Sequence, residues 1–291
     1  MVGQKQLQSR MYQLIENNSL PRFIILVGEH GSGTAVFANV ILTMLQEKYS
    51  NVIGIQLPDV KAETVRDFTS DVYKFAGMTN VIMIIDADNM SNAAKNALLK
   101  VTEEPPNDTY FIMTLEDENN TLETIRSRGT VFHMDRYTPD EIFEYYWSLE
   151  GSNIMPHGMP NDAELVRELC ETPGDVQTLV KMGVQEFYDY VQLVVDNISD
   201  VQLANSFKIP SKVALKDGAE GYDLKLFWKA FIKVCMERSF DDIEDKFEEA
   251  EHSKRMILAA QITSGYLSSL RVKGINKQML VDNWIISIRS I

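Results

Sequence analysis

The sequence has few cysteines, no long apolar run and a deficit of basic residues. Its two cysteines, Cys170 and Cys235, lie far apart and neither belongs to a C-x-x-C pair. This pattern indicates neither a zinc site nor a disulfide framework. The longest apolar runs, such as FIILV and VIMII, are far too short to span a bilayer. The opening segment MVGQKQLQSR is not followed by the apolar core of a signal peptide. We therefore expect a cytoplasmic protein without a membrane partner.

The charge balance is strongly acidic. The 291 residues include 28 Lys and Arg against 42 Asp and Glu, which gives a formal net charge of −14 at pH 7. Because nucleic-acid-binding proteins usually have a basic excess, this balance argues against a protein that binds DNA unaided and favours protein partners. The length, with 45% hydrophobic and 24% charged residues, is typical of a globular protein with two or three domains.

The first part of the chain alternates between strand and helix patterns. Short apolar stretches predict strands at 23–27, 52–57, 80–86 and 109–115, and helical periodicity predicts helices at 5–17, 36–45, 61–76 and 91–104. Because the strands are apolar on both faces, this order predicts an α/β fold with a parallel sheet covered on both sides by helices. We assign residues 1–136 to this domain.

Beyond this domain only helical patterns occur. The segment TPDEIFEYYWSL begins with a Thr-Pro-Asp-Glu helix entry, and a small helical domain is predicted over residues 137–185. An all-helical domain is predicted over residues 186–291, from apolar periodicity near 185–205, 222–239, 242–271 and 276–290.

Residues 28–35, GEHGSGTA, match a phosphate-binding loop that lacks its lysine. Gly28 and Gly33 have the spacing of the P-loop glycines, but Thr34 and Ala35 occupy the positions of the lysine and the magnesium-binding hydroxyl. A predicted strand precedes the loop and a predicted helix follows it, and in this context backbone amides can hold a phosphate group. The candidate phosphate contacts are Gly28, Gly31, Gly33 and Thr34. The alternative is that the glycines only allow a sharp turn into a helix.

The motif order in residues 88–128 is specific. The run reads DNMSNAAKNALLKVTEEPPNDTYFIMTLEDENNTLETIRSR. It resembles the AAA+ subunits of the bacterial DNA polymerase III clamp loader, in which a strand, an N-A-L-L-K helix, EEPP, another strand and a Ser-Arg-Cys motif follow in this order. The upstream stretch LIENNSLPRFIILVGEHGSG also resembles these subunits. The resemblance implies an AAA+, P-loop NTPase-like parallel-sheet domain, followed by a small helical lid and an all-α C-terminal collar domain.

The family contains motor subunits, which hydrolyse ATP, and a stator called delta-prime, which often does not. Phosphoryl transfer needs a lysine and a bound magnesium ion, and Thr34 and Ala35 replace the residues that supply them. Aligned on N-A-L-L-K, Asp86 falls on the Glu position and Ile85 on the Asp position of the motor subunits' carboxylate pair. Asp86 is then the remnant of that pair. The alternative is that Asp86 and Asp88 only cap the following turn and helix.

Two further positions of the ATP site are altered. Leu115 or Glu116 falls where motor subunits have a polar residue at the γ-phosphate, and Gly174, in ETPGDVQTL, falls where they have an arginine. The resemblance therefore implies a subunit that does not hydrolyse ATP and has no resident cofactor. Weak binding of ATP, ADP or phosphate at the glycine loop stays open as an alternative. Residues 34–86 contain no cysteine, so no zinc module of the kind found in many relatives is expected.

The segment IRSRG, residues 125–129, contains a second candidate site. By resemblance, Arg128 is an arginine finger, which reaches the γ-phosphate held by a neighbouring subunit. Gly129 stands in place of the family's cysteine. Arg126 is either a helper or a surface charge. The alternative for Arg128 is a simple ion pair with a carboxylate on an acidic surface.

The resemblance as a whole implies a delta-prime-like stator that acts in DNA replication. Its implied partners are the tau/gamma motor subunits and the delta subunit, with the sliding clamp and primed DNA contacted indirectly. Two alternatives stay open. One is a divergent AAA+ ATPase that uses Lys95 or Lys100 in place of the missing lysine, and the other is an adaptor outside replication that kept the fold and lost the site.

Overall fold

The computed structural model describes most of the chain. The described residues are 2–57, 59–71, 78–106, 108–149, 160–197, 213–214, 221–241, 247–270, 272 and 274–291. They form two compact units: the first comprises Met1–Tyr145 with Thr172–Gly174, and the second comprises Tyr146–Glu171 with Asp175–Ile291. Most helical residues of the predicted lid fall in the second unit, together with those of the predicted collar. The separation of lid and collar into two domains stays a prediction.

The elements follow one another in the predicted order. The helices are α1 (Lys5–Glu16), α2 (Thr34–Lys48), α3 (Ala62–Asp71), α4 (Asn92–Glu103), α5 (Glu123–Arg126), α6 (Pro139–Leu149), α7 (Pro160–Leu169), α8 (Pro173–Met182), α9 (Val184–Asp196), α10 (Leu224–Asp241), α11 (Phe247–Ser269) and α12 (Lys277–Arg289). The strands are β1 (Phe23–Val27), β2 (Val52–Gln56), β3 (Thr79–Ile84), β4 (Thr109–Leu115), β5 (Thr130–His133), β6 (Val213–Ala214) and β7 (Tyr222–Asp223).

Most predicted elements are confirmed to within a few residues, and β1 and β4 have the predicted bounds. Parts of three predicted helices, at 72–76, 198–205 and 242–246, lie outside the described residues. The sequence analysis missed β5 and α5. Both span only four residues, TVFH and ETIR, which is too short for a periodic apolar pattern to be recognised.

The first unit is built on a parallel five-stranded sheet with the order β2-β3-β4-β1-β5. Strand β1 is an interior strand, since Ile25 lies opposite Met113 of β4 on one side and opposite Val131 of β5 on the other. Because all four pairings are parallel, the carboxyl ends of the strands lie at one edge of the sheet and the amino ends at the other. These are called the carboxyl edge and the amino edge below.

Helices cover both faces of this sheet, which confirms the predicted α/β class with a covered parallel sheet. On one face, Met11 and Ile15 of α1 and Phe37 of α2 pack against β1, β3 and β4. On the other face, Leu98 of α4 and Ile125 of α5 belong to a second buried cluster. The five residues of β1 are all buried. The expectation of strands apolar on both faces is wrong for β2, which is an edge strand with three exposed residues.

The second unit is mainly helical, as expected for its part of the chain. Its core is aromatic: Phe227, Phe231 and Trp228 of α10 pack around Trp284 of α12 with ring-centroid separations of 5.1–6.0 Å. The indole N–H of Trp284 donates a hydrogen bond of 2.9 Å to Thr263 Oγ1. A parallel pairing of the two-residue strands β6 and β7 was not predicted.

Three lysines spaced four residues apart bind α10 to the helices before it. Lys225 Nζ lies 3.0 Å from both carboxylate oxygens of Asp175, and Lys229 Nζ lies 3.0 Å from Glu171. Lys233 pairs with a glutamate of α7. Burial alone would lower the pKa of Lys225, but the Asp175 carboxylate beside it raises that pKa overall. These ion pairs explain why helices of the predicted lid cluster with the predicted collar.

Neither cysteine is a reactive group. Both Cys170 and Cys235 are buried and unpaired, and burial raises the pKa of each thiol to about 12. Across the described part of the chain, none of the helices combines the length and the apolar character that crossing a membrane requires.

Candidate functional site

The glycine loop follows the interior strand β1 at the carboxyl edge, where open α/β sheets bind their ligands. The start of the loop and the end of β1 are attached to the neighbouring segments on both sides. Gly28 N donates to Leu115 O at the end of β4 over 3.0 Å, and Met134 N donates to Val27 O over 2.7 Å. Asp86 follows β3 at the same edge. The sheet therefore brings the predicted loop residues and Asp86 to one edge.

Two of the glycines have backbone angles that other residues rarely adopt. Gly31 has φ 79° and Gly33 has φ 87°, in the left-handed region that favours glycine. Gly33 is the N-cap of α2, and Thr34 is the first helical residue. This geometry fits the interpretation that the glycines allow a sharp turn. Residues 28–35 contain neither lysine nor arginine. Apart from His30, the positive charge that they offer to an anion is the partial charge at the N-terminus of α2, where the N–H groups of the first turn lie.

Ser32 is a loop residue that the sequence analysis missed. Its Oγ is buried and has no hydrogen-bond partner among the described residues. A Cβ placed on Gly28 would lie 2.5 Å from this Oγ, so Ser32 packs directly on Gly28. The carbonyl oxygen of Ser32 accepts a 2.7 Å hydrogen bond from the hydroxyl of Tyr137. The P-loop pattern gives no signal for this contact, because Tyr137 is distant in the sequence.

The segment Thr172–Gly174 returns to the first unit and packs on the glycine loop. Gly174 N donates a 3.0 Å hydrogen bond to Gly31 O. A Cβ on Gly174 would lie 2.5 Å from Gly31 Cα, and a Cβ on Gly31 would lie 2.7 Å from Thr172 Oγ1. Both glycines are therefore needed for this approach of two backbones. Gly174, which falls where motor subunits have an arginine, is here a packing partner of the loop.

Three basic side chains near the loop lie opposite glutamates. His30 Nδ1 lies 2.6 Å from the carboxylate of Glu116, and the Arg136 guanidinium lies 3.9 Å from Glu29. His133, at the end of β5, is 3.8 Å from another glutamate. These pairs are exposed and add little to stability. Their carboxylates lie beside the glycine loop, where a bound triphosphate would need positive charge.

The two aspartates after β3 have different roles. Asp86 is exposed, has φ 54° and makes no side-chain cap to the short 3-10 turn that follows it. Asp88 is buried. Its carboxylate accepts hydrogen bonds from Glu116 N over 2.7 Å and from Asn120 Nδ2 over 2.8 Å. The side chain of Asp86 therefore does not cap the turn that follows it, and Asp88 fixes the loop after β4.

Lys95 lies in α4, and its side chain contacts the same loop after β4. Its side chain is buried, and its Nζ donates to the carbonyl oxygen of Asn120. The side chain of Lys100 lies outside the described residues. No group of three or more His, Cys, Asp or Glu that could hold a metal ion occurs among the residues that the structure describes.

Arg128 lies at the amino edge of the sheet. Strand β5 pairs with β1 so that Thr130 is opposite Ile24 and His133 is opposite Val27. Arg128 precedes this pairing, whereas the glycine loop follows it. The paired positions alone, at about 3.3 Å per residue, separate the two edges by about 10 Å. Arg128 and the glycine loop are therefore not brought together within one chain.

The guanidinium of Arg128 is held by two acceptors. Its Nη1 donates to the carbonyl oxygen of Thr124, and its Nη2 donates to Oε1 of Glu103 at the end of α4. The Arg128 side chain is 29% exposed. The alternative expectation of a carboxylate pair thus describes the contact seen in the isolated chain. The side chain of Arg126 makes no hydrogen bond or ion pair with the residues that the structure describes.

The position after Arg128 has no room for a side chain, which explains the glycine at residue 129. A Cβ at this position would lie 2.6 Å from Cδ1 and 2.7 Å from Cγ1 of Ile25. Ile25 is fully buried in β1, so it has little freedom to move away. The chain after Arg128 therefore packs directly on β1, which fixes the backbone from which the arginine projects.

Replacing Gly174 with alanine tests the contact between the two glycine backbones. We expect Gly174→Ala to lower the free energy of unfolding by about 1–3 kcal/mol, because the new methyl group meets backbone atoms of Gly31 that cannot rotate away. Gly265→Ala in α11 is the control. A Cβ there meets nothing within 4 Å, so helix propensity predicts a gain of up to about 1 kcal/mol. Urea unfolding measures both, and an unchanged Gly174→Ala stability would contradict the contact.

Comparison with known proteins identifies relatives for part of the chain. The family model described as DNA polymerase III, delta subunit, matches residues 42–138. DNA polymerase III subunit delta' of Escherichia coli (strain K12) is 32% identical over 107 residues, which cover 36% of this chain and 29% of that protein. The same subunit of Haemophilus influenzae is 28% identical over 134 residues, which cover 45% and 40%. Replication factor C subunit 3 of Saccharomyces cerevisiae is 26% identical, covering 62% and 54%.

The chain thus spans less than two thirds of the length of each of these relatives. Among solved structures, a RuvB variant from Thermotoga maritima has a TM-score of 0.50 at 18% identity and covers 97% of this chain and 82% of that chain. At this identity the likeness concerns the fold alone. The matched family model and the delta' relatives agree that part of this chain, centred on the parallel-sheet unit, is similar to the delta-prime subunits of DNA polymerase III.

Proposed function

We propose that the chain is a non-hydrolysing, delta-prime-like subunit of a replicative clamp loader, and that it supplies Arg128 to ATP bound by a neighbouring motor subunit. The observation that supports this most strongly is the position of Arg128 at the amino edge of the sheet, away from the chain's own glycine loop. A guanidinium there can act on a phosphate only if another molecule brings the phosphate to it. Arginine fingers supplied in trans raise phosphoryl-transfer rates by about 10³ to 10⁵.

The composition of the chain's own loop supports the absence of hydrolysis. Residues 28–35 contain neither lysine nor arginine, although catalysis of phosphoryl transfer rests on positioned positive charge and metal. The nearby basic side chains His30 and Arg136 lie opposite carboxylates. Asp86 alone remains of the carboxylate pair. We expect no resident cofactor at this loop.

Binding of phosphate or nucleotide without turnover is a second candidate role for the loop. It is favoured by the buried Ser32 Oγ, which has no partner among the described residues, and by the N-terminus of the 15-residue helix α2. Gly31, Gly33 and Thr34 would contribute backbone N–H groups, whereas the N–H of Gly28 already donates to Leu115 O and Gly28 would contribute only room for the ligand. Such binding would stabilise the loop rather than supply chemistry.

The partners follow from the clamp-loader role. We propose that the chain joins tau/gamma motor subunits and a delta subunit, and that it affects the sliding clamp and primed DNA through them. Residues 1–136 would form the AAA+ domain, 137–185 the lid and 186–291 the collar that assembles with the other subunits. The net charge of −14 agrees with protein partners rather than direct DNA binding.

The two alternative roles make different demands. A divergent ATPase needs a substitute lysine, but Lys95 is buried with its Nζ bound to Asn120 O. An adaptor outside replication would need no arginine finger. The tests below separate both from the proposed role.

The purified chain alone is expected to show no ATP turnover with magnesium, because its loop has no lysine to contact the phosphates. Release of inorganic phosphate is the measurement, with primed DNA both present and absent. Turnover near about 1 s⁻¹, the low end of ordinary enzyme rates, would support the divergent ATPase instead.

Removing Arg128 is expected to disable the neighbouring ATP site in the assembled complex. In a complex with motor and delta subunits, Arg128→Ala should lower hydrolysis at the adjacent site by about 10³-fold or more. The DNA-stimulated rate of ATP hydrolysis by the whole complex then falls by the fraction that this one site contributes. Single-turnover phosphate release measures the loss.

Arg126→Ala is the matched control, since Arg126 lies two residues earlier and its side chain makes no hydrogen bond or ion pair with the described residues. We expect it to assemble and hydrolyse like the unmodified chain. If Arg128→Ala keeps full activity, or if the chain does not assemble with motor subunits, the proposed role is wrong and the adaptor is favoured.

A further inference from the structure

Glu103 occupies a position that helix electrostatics does not explain. It is the last residue of α4, where a carboxylate faces the negative end of the helix dipole. Its side chain is half exposed, so it is not needed to fill the core. Its contact is with Nη2 of Arg128. The residue therefore has a partner outside its helix that compensates for this location.

The contact leaves most of the Arg128 guanidinium available. A guanidinium has five N–H donors. Two of them are used by Glu103 and by the Thr124 carbonyl, and the other three make no hydrogen bond with the residues that the structure describes. With 29% of the side chain exposed, these donors can still meet an anion that approaches from outside.

Helix α4 gives Glu103 a fixed position. Its residues Ala94, Leu98 and Val101 are buried against the sheet. Near its start, Lys95 binds the Asn120 carbonyl, and the Asn120 amide in turn binds Asp88. After Glu103, the pair Glu104–Pro105 ends the helix, because a residue before proline avoids the helical conformation. The carboxylate of Glu103 thus projects from a helix that is anchored at several points.

We propose that Glu103 is the positioning residue of Arg128, holding the guanidinium at the amino edge with its remaining donors directed outward to the phosphate of a neighbouring subunit. This inference rests on the proposed function. A free arginine side chain has many rotamers, and ordering it at the moment of binding costs free energy. A partner on a rigid helix orders the side chain beforehand, and positioning of this kind contributes strongly to rate. Glu103 is half exposed, so solvent screens its charge and the guanidinium keeps much of its attraction for phosphate.

The test uses the full chain assembled with motor and delta subunits, primed DNA and clamp. The variants are Glu103→Ala, which removes the acceptor, and Glu103→Gln, which keeps a neutral oxygen acceptor. Glu104→Gln is the matched control, because it removes the same charge from the next residue. The quantity compared is the Arg128-dependent rate. For each complex, it is the rate of ATP hydrolysis minus the rate of the same complex carrying Arg128→Ala.

Glu103→Ala should lower kcat for the Arg128-dependent hydrolysis of ATP by about tenfold or more. The KM for ATP should stay unchanged, since another subunit binds the nucleotide. Glu103→Gln should lose less, and Glu104→Gln should match the unmodified complex. In the Arg128→Ala background, Glu103→Ala should have no further effect, because coupled residues are non-additive. Gel filtration checks assembly, and Glu103→Gln provides the test if the alanine variant does not assemble.

Three results would overturn the inference: an unchanged rate in Glu103→Ala, a raised rate, or an equal loss in the Arg128→Ala background. The raised rate would mean that Glu103 restrains the arginine instead of positioning it. Failure of the proposed function is recognised separately, because Arg128→Ala itself would then leave the rate unchanged.

Discussion

The separation of positive charge from the glycine loop is the constraint on which the rest of the molecule depends. A parallel sheet has two distinct edges. In this chain the loop that could hold phosphate lies at the carboxyl edge, and Arg128 lies at the amino edge. The strands between them make it impossible for this arginine to complete the chain's own site. Whatever Arg128 contributes to phosphate chemistry must therefore be contributed to another molecule.

Local packing maintains this arrangement at both edges. At the carboxyl edge, Gly174 and Gly31 approach so closely that neither has room for a side chain, and carboxylates accompany the exposed cations. At the amino edge, Gly129 lets the chain press against Ile25, which fixes the backbone of Arg128. The loop is closely packed and poor in positive charge, whereas the arginine remains partly exposed and firmly held. Helix α4 connects the two regions through Lys95 near its start and Glu103 at its end.

Much of the fold could be predicted from the sequence because the pattern of apolar residues along the chain indicates which segments are buried. FIILV and TYFIMTL are continuous apolar runs, and they form the strands β1 and β4 with the predicted bounds. The four-residue strand β5 was missed because TVFH is too short to show a pattern. The exposure of β2 was also missed, since VIGIQ is apolar although it lies at an edge of the sheet. Whether a strand lies at an edge depends on the order of all the strands in the sheet, and the sequence of one strand does not reveal that order.

The candidate site was predictable only where a motif fixes the spacing. The loop glycines and Arg128 were found in this way. Asp88, Ser32 and Glu103 were assigned no role beyond a local cap, because their partners Asn120, Gly28 and Arg128 are set by the tertiary fold. A carboxylate at a helix C-terminus was the one sequence signal that could have identified Glu103.

The most direct test of the central claim is a structure of the assembled complex with magnesium and a non-hydrolysable ATP analogue. The account predicts the Arg128 guanidinium within about 2.7–2.9 Å of a γ-phosphate oxygen held by the neighbouring subunit, with no magnesium nucleotide in the loop of residues 28–35. Magnesium nucleotide bound in that loop, with Arg128 contacting only its own chain, would contradict it.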